Sequence, residues 1–190
     1  MALGSPCIAL AHNDRHGQQS GGPEQATIAG SAFAGASGSI KVNEAAGNGN
    51  AQANIAVLSS GSATHVSLTQ RVSGFAHDTG IATIADGAFA GASGALQLNQ
   101  AAGSGNAQGN VIVVQLGGAA TSLSDAALSS AVASSRTSGT NTHSSGGNVA
   151  GISGRAFSGA SGVVQINQTA GSSNRTTNSF QLQLQPGPGT

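Results

Sequence analysis

Five histidines, His12, His16, His65, His77 and His143, are the side chains best suited to acid–base or metal chemistry. Only His12-Asn13-Asp14-Arg15-His16 forms a cluster, and a mature N-terminal His12 would offer copper or zinc the start of a site. No third protein ligand accompanies it, so a solvated polar leader is the simpler reading. His77-Asp78 has the pairing of a base and its orienting acid but lacks an activated nucleophile. Serines abound, yet there is no Gly-x-Ser-x-Gly elbow. The Gly-Ala-Ser-Gly blocks miss that spacing and occur three times, which suits turns better than catalysis. Gly103 and Gly105 begin a dinucleotide-loop spacing, but Gln108 stands where the third glycine belongs. The lone Cys7 excludes an internal disulfide framework and a cysteine-based zinc cluster. Six acidic residues cannot furnish repeated calcium turns. These residues predict no catalytic site, no cofactor and no metal.

What the chain does contain is repetition. Residues 26–58, 82–114 and 150–182 align without a gap, offset by 56 and then 68 positions. All three share an Ala-x-Ile start, Ala-Phe, a Gly-Ala-Ser-Gly block, one Asn, Ala-Gly and two further Asn. Phe33, Phe89 and Phe157 correspond, as do Asn43, Asn99 and Asn167. So do Asn50, Asn106 and Asn174, and Asn54, Asn110 and Asn178.

Each repeat reads as strand, turn, strand, turn, strand. The middle strand alternates with period two: Ile40 and Val42 oppose Lys41 and Asn43, Leu96 and Leu98 oppose Gln97 and Asn99, and Val164 and Ile166 oppose Gln165 and Asn167. Gly-rich blocks on either side supply positive φ for turns. In the last strand Asn50, Gln52 and Asn54 share one face, opposite Ala51, Ala53, Ile55 and Val57. Its far end (IAVL, VIVV) is apolar on both faces, as a strand buried between sheets would be.

One such repeat cannot bury its apolar face alone, and stacking repeat on repeat can. The expected fold is therefore all-β, with three stacked cross-β or β-solenoid-like repeats joined by two flexible linkers. Phe33, Ile40, Val42, Phe89, Leu96, Leu98, Phe157, Val164 and Ile166 are its expected apolar core. Stacking also sets each invariant Asn over its counterpart, in the manner of cross-β amide ladders.

Composition points the same way. Only 6% of residues are charged and the formal net charge is zero, so little self-repulsion opposes association. Aromatic residues make up 3%, with no Trp or Tyr, so the core is thin. There is no basic patch for nucleic acid and no apolar run of membrane-spanning length. Residues 1–11 are apolar and end in Ala9-Leu10-Ala11, which reads as the remnant of a secretory signal peptide. A polar leader, 12–25, follows. Linkers occupy 59–81 and 115–149, and repeat 3 extends to 185 before a Pro/Gly tail, 186–190. The Ser/Thr/Gly-rich span 119–147 is expected to loop outside the stacked core. Within it SDAALSSAVASS suggests a short helix capped by Ser124 or Asp125.

Three imperfect repeats separated by two variable linkers, each with Ala-Gly-x-x-Asn-x-x-x-Asn, resemble the fibre-forming Fap subunits of Pseudomonas-type bacteria. The major subunit of that family ends in Cys-x-Cys, whereas this chain ends in PGPGT. The resemblance implies a secreted functional amyloid of the biofilm matrix whose partners are copies of itself, related fibre subunits and an outer-membrane secretion pore. It also implies an assembly ladder of Asn43, Asn50, Asn54, Asn99, Gln100, Asn106, Asn110, Asn167, Gln168, Asn174 and Asn178. The rival readings are a soluble β-solenoid adhesin, which would need capped ends, and an enzyme, which would need a site.

Overall fold

A computed structural model describes residues 22–60, 66–72, 79–117, 131–133 and 147–184. The regular elements among them are all strands, arranged in four parallel sheets. Sheet A holds β1 (Glu24–Ile28), β5 (Gly80–Ile84) and β9 (Val149–Ile152). Sheet B holds β2 (Ser37–Ala46), β6 (Ser93–Ala102) and β10 (Ser161–Ala170). Sheet C holds β3 (Ala51–Ser60), β7 (Ala107–Leu116) and β11 (Arg175–Leu184). A short pair, β4 (Gln70–Val72) with β8 (Ala131–Ala133), comes from the linkers.

Each repeat thus contributes one strand to each large sheet and forms a rung, with repeat 2 in the centre of all three. The register is that of identical residues: Asn99 pairs with Asn43 and Asn167, and Asn110 with Asn54 and Asn178. A shift by one residue would carry every apolar side chain of β6 to the wrong face, so this register is strongly specified.

Sheet B lies between A and C, and its two faces differ in kind. Toward sheet A it presents Ile40, Val42, Leu96 and Leu98, which pack with Ile28, Ile84, Phe89 and small alanines. Phe89 is fully buried and stacks on Phe33 and Phe157 at 5.1 and 4.9 Å, with planes within 4° of parallel. The rung spacing imposes this parallel stack. Burying each of Phe89, Ile84 and Leu98 stabilises the fold by about 1.5–3 kcal/mol. Toward sheet C, sheet B presents amides.

Two turns connect the strands of each rung, and glycine is required where rungs touch. At Gly94 (φ +110) a Cβ would sit 2.3 Å from the Gly38 carbonyl oxygen of rung 1. At Gly103 (φ +114) it would sit 2.2 Å from the Gly171 carbonyl oxygen of rung 3. Only a residue without a side chain lets the backbones approach at one strand spacing.

Several expectations need correction. Residues 131–133, inside the expected helix, are strand β8, because pairing with β4 satisfies their backbone in a way an isolated turn of helix would not. The rest of that segment lies outside the described residues, as do 1–21, all five histidines, residue 185 and the tail 186–190. The linkers are not wholly outside the core either. Val66 and Leu68 are buried against Val111 and Val113 on the outer face of sheet C, to which Ala53, Ile55 and Val57 also contribute. The far end of sheet C is buried on both faces in rung 2, at Val111, Ile112 and Val113, but not at the rung-1 edge, where Leu58 is 72% exposed. Val164, expected in the core, is 39% exposed, since rung 3 has no further rung over it.

Candidate functional site

The B–C interface is built from two interlocked asparagine columns. Asn43, Asn99 and Asn167 stand on sheet B, and Asn54, Asn110 and Asn178 face them from sheet C. Asn99 donates through Nδ2 to Asn43 Oδ1, Asn54 Oδ1 and the Ala53 carbonyl, each at 2.9 Å. Its own Oδ1 accepts from Asn110 and Asn167, both at 3.0 Å. Asn110 donates onward to Asn54 Oδ1 and the Leu98 carbonyl, and Asn178 to Asn110 and Asn167. Asn99 and Asn110 are fully buried, and the network satisfies them without water.

A third column lines the second turn. Asn106 receives no strand pairing for its side chain, but its backbone N–H and its Nδ2 both donate to Asn50 Oδ1, and Asn174 repeats this on Asn106 Oδ1. Asn106 Nδ2 also reaches the Gly171 carbonyl at 2.9 Å. Each asparagine therefore bridges rungs and ties down a turn at once.

The fourth column crosses from sheet B to sheet A. Gln168 Nε2 donates to Gln100 Oε1, the Ala82 carbonyl and the Gly151 carbonyl. Gln100 Nε2 donates in the same pattern to Glu44 Oε2, the Ala26 carbonyl and the Thr83 carbonyl. Glu44 takes the amide position in rung 1 and accepts from the Thr27 backbone N–H at 2.9 Å. Burial raises its carboxyl above the ordinary value, opposed in part by the bonds from Gln100 and Thr27.

All eleven expected ladder positions thus lie in inter-rung columns. Their burial is graded, because rung 2 is covered on both sides: Asn43 is exposed and Asn50 and Asn54 are half-buried, whereas Asn99, Gln100, Asn106 and Asn110 are buried. The expected set omitted further members. Gln52 donates to Gln108 Oε1 at 2.7 Å and Gln108 to Thr169 Oγ1 at 3.0 Å. Gln97 donates to Gln165 Oε1 at 3.2 Å and to the Ile55 carbonyl. Their signal was present in the alternation, since Gln52 falls between Asn50 and Asn54, but a Thr at 176 and a Lys at 41 hid the columns.

The columns have a direction. In the asparagine ladders and the Gln100 ladder, the inter-rung bonds between side chains run from the higher repeat to an oxygen on the lower one. At the repeat-3 end Asn174 Oδ1, Asn178 Oδ1 and Gln168 Oε1 accept no hydrogen bond among the described residues, and at the repeat-1 end the Asn43 amide donates none. No cluster of three metal-ligating side chains occurs among the described residues, and no helix there is long and apolar enough to cross a membrane.

Parallel rungs in identical register, held by amide and aromatic columns along one axis, define a cross-β repeat protein of the amyloid type. The chain belongs to the functional amyloid protein FapB/FapC family, whose model matches residues 9–185. No solved structure matches it.

Proposed function

We propose that this chain is the structural subunit of an extracellular amyloid fibre that supports biofilm matrix and adhesion. Its activity is assembly, and the eleven ladder residues do the work that catalytic residues do elsewhere. The observation that carries the reading is the equivalence of the rungs. Rung 1 and rung 3 are the edge rungs of all three large sheets, and their strands keep the register of counterpart residues already used inside the chain. A second copy stacked end to end would continue the asparagine columns with the contacts already made inside the chain. Val149 and Ile152, exposed on rung 3, would then be covered as Ile84 is covered in rung 2. Secretion through an outer-membrane pore and co-assembly with related subunits fit the same reading. A soluble solenoid adhesin would need caps over these edges, and the described residues place none at the ends of sheets A, B and C.

The test is fibre diffraction and thioflavin binding on the purified chain, together with matrix formation by cells lacking the gene and complemented with it. Reflections near 4.7–4.8 Å and about 10 Å are expected, with restored surface attachment. A monomer that stays soluble at high concentration and binds surfaces as such would overturn the proposal in favour of the adhesin.

A further inference from the structure

Given a fibre that grows end to end, the columns say what each junction must contain, and at one position the chain supplies the wrong group. Within the chain the slot below each rung of the Gln100 column is lined by three oxygens. For Gln100 they are Glu44 Oε2 and the Ala26 and Thr83 carbonyls, and for Gln168 they are Gln100 Oε1 and the Ala82 and Gly151 carbonyls. An amide Nε2 fills that slot and gives its hydrogens to all three. Carried down one rung by the same register, the slot beneath rung 1 would be lined by the Thr27 carbonyl and, from the second copy, the Ala150 carbonyl and Gln168 Oε1. The residue facing it is Glu44, whose carboxylate has no hydrogen to give.

In the single chain Glu44 does something else. Its Oε1 accepts from Thr27 N–H, on the outer side of edge strand β1, where a docking strand would need that donor. An inward-pointing charge on an exposed edge is one of the means by which β-proteins resist edge pairing.

We infer that Glu44 is a proton-dependent gate on the repeat-1 edge, closed to the repeat-3 edge of a second copy while ionised and open to it when protonated. The protonated carboxyl gives its O–H to Gln168 Oε1 of the second copy and so takes the place that the amide takes in rungs 2 and 3. Thr27 N–H is then released to pair across the junction.

Few other ionisable side chains surround Glu44. Among the described residues, β1 contributes Glu24 at its start and β2 contributes Lys41, which lies on the opposite face of that strand. Strands β3 and β6 carry no ionisable side chain, and neither do β9 and β10, which would face the edge from the second copy. On the repeat-3 edge β11 brings Arg175 to the sheet C side of the junction, and the turn after β9 carries Arg155. Burial already raises the Glu44 carboxyl in the single chain, and the three oxygens of a junction raise it further.

The experiment is seeded elongation of the full chain, followed by thioflavin fluorescence from pH 4 to 8, for the parent, Glu44→Gln and Glu24→Gln. The last variant removes the same charge elsewhere on the edge. The parent should elongate at least about tenfold faster at the acid end, where protonation supplies the hydrogen that the junction needs. Glu44→Gln should elongate rapidly throughout and vary less than about twofold over that range. Glu24→Gln should keep the parent's profile. Parent and Glu44→Gln fibres with the same pH profile would overturn the gate and leave the fibre reading standing. Absence of cross-β fibres from all three chains at every pH would overturn both.

Discussion

Replacing Asn99 by Ala removes the centre of the B–C network, and the structure allows the cost to be worked out. Asn99 donates to three oxygens and accepts from two amides. After truncation Asn110 keeps the Leu98 carbonyl and Asn54 Oδ1, and Asn167 keeps the Gly109 carbonyl and Asn110 Oδ1. Asn43 Oδ1 still accepts from Asn54, and the Ala53 carbonyl keeps its place in the β3–β7 strand ladder, so no buried acceptor is stranded and the loss is that of the bonds themselves. Each bond lost costs about 0.5–1.5 kcal/mol net, and because the two Nδ2 hydrogens are shared among three acceptors the bonds do not count in full. The sum, about 2–4 kcal/mol per chain, corresponds to a rise of about 30- to 700-fold in the critical concentration for assembly. Asn43→Ala is the informative companion. Asn43 sits on the edge of the single chain, where its amide donates nothing, but becomes an interior residue when rung 1 meets another rung. End-to-end stacking therefore predicts that Asn43→Ala raises the critical concentration nearly as much as Asn99→Ala does. The exposed turn substitution Ser31→Ala should change it by less than about twofold. The assay is the residual soluble concentration after assembly, with lag time as a second readout. An Asn99→Ala value within twofold of the parent would refute the ladder argument, and a silent Asn43→Ala would refute the stacking.

The remaining predictions address the other columns. Three rungs per chain should advance the fibre by about 14 Å, three strand spacings, and a helical rise near one spacing in a fibre map would contradict this. Gly94→Ala meets both a φ of +110 and the Gly38 carbonyl, so it should cost more than about 3 kcal/mol and abolish seeded growth. Phe89→Ala opens the centre of the aromatic stack and should cost about 3–5 kcal/mol, measured by denaturant dissolution of fibres, with Phe157→Ala costing nearly as much because end-to-end stacking sets it against Phe33 of the next copy. Leu68→Ala uncovers Val111 and Val113 and should cost about 2–3 kcal/mol in the same measurement; no loss would mean that the linker contact is dispensable.

Much of this architecture was legible in the residues alone, for a definite reason. A parallel cross-β stack pairs each position with its own counterpart, so gapless offsets of 56 and 68 state the register directly. Alternation of Leu96 and Leu98 with Gln97 and Asn99 likewise separates an apolar face from an amide face, because successive side chains of a strand point opposite ways. Both are properties of the chain read one residue at a time. Which face meets which layer is not such a property. It follows from how two turns per rung fold sheet B between A and C, and only then does Asn99 meet Asn54 as well as Asn43. Strand β8 illustrates the same limit: Ala131–Ala133 has weak local preference, and its state is decided by pairing with β4, far away in sequence. Burial also depends on position in the stack, which is why Leu96 is covered while its counterpart Val164 is open. Glu44 in sequence is one acid where two repeats have Gln. Only the tertiary structure, by surrounding the equivalent amides with oxygens, gives that difference a physical consequence.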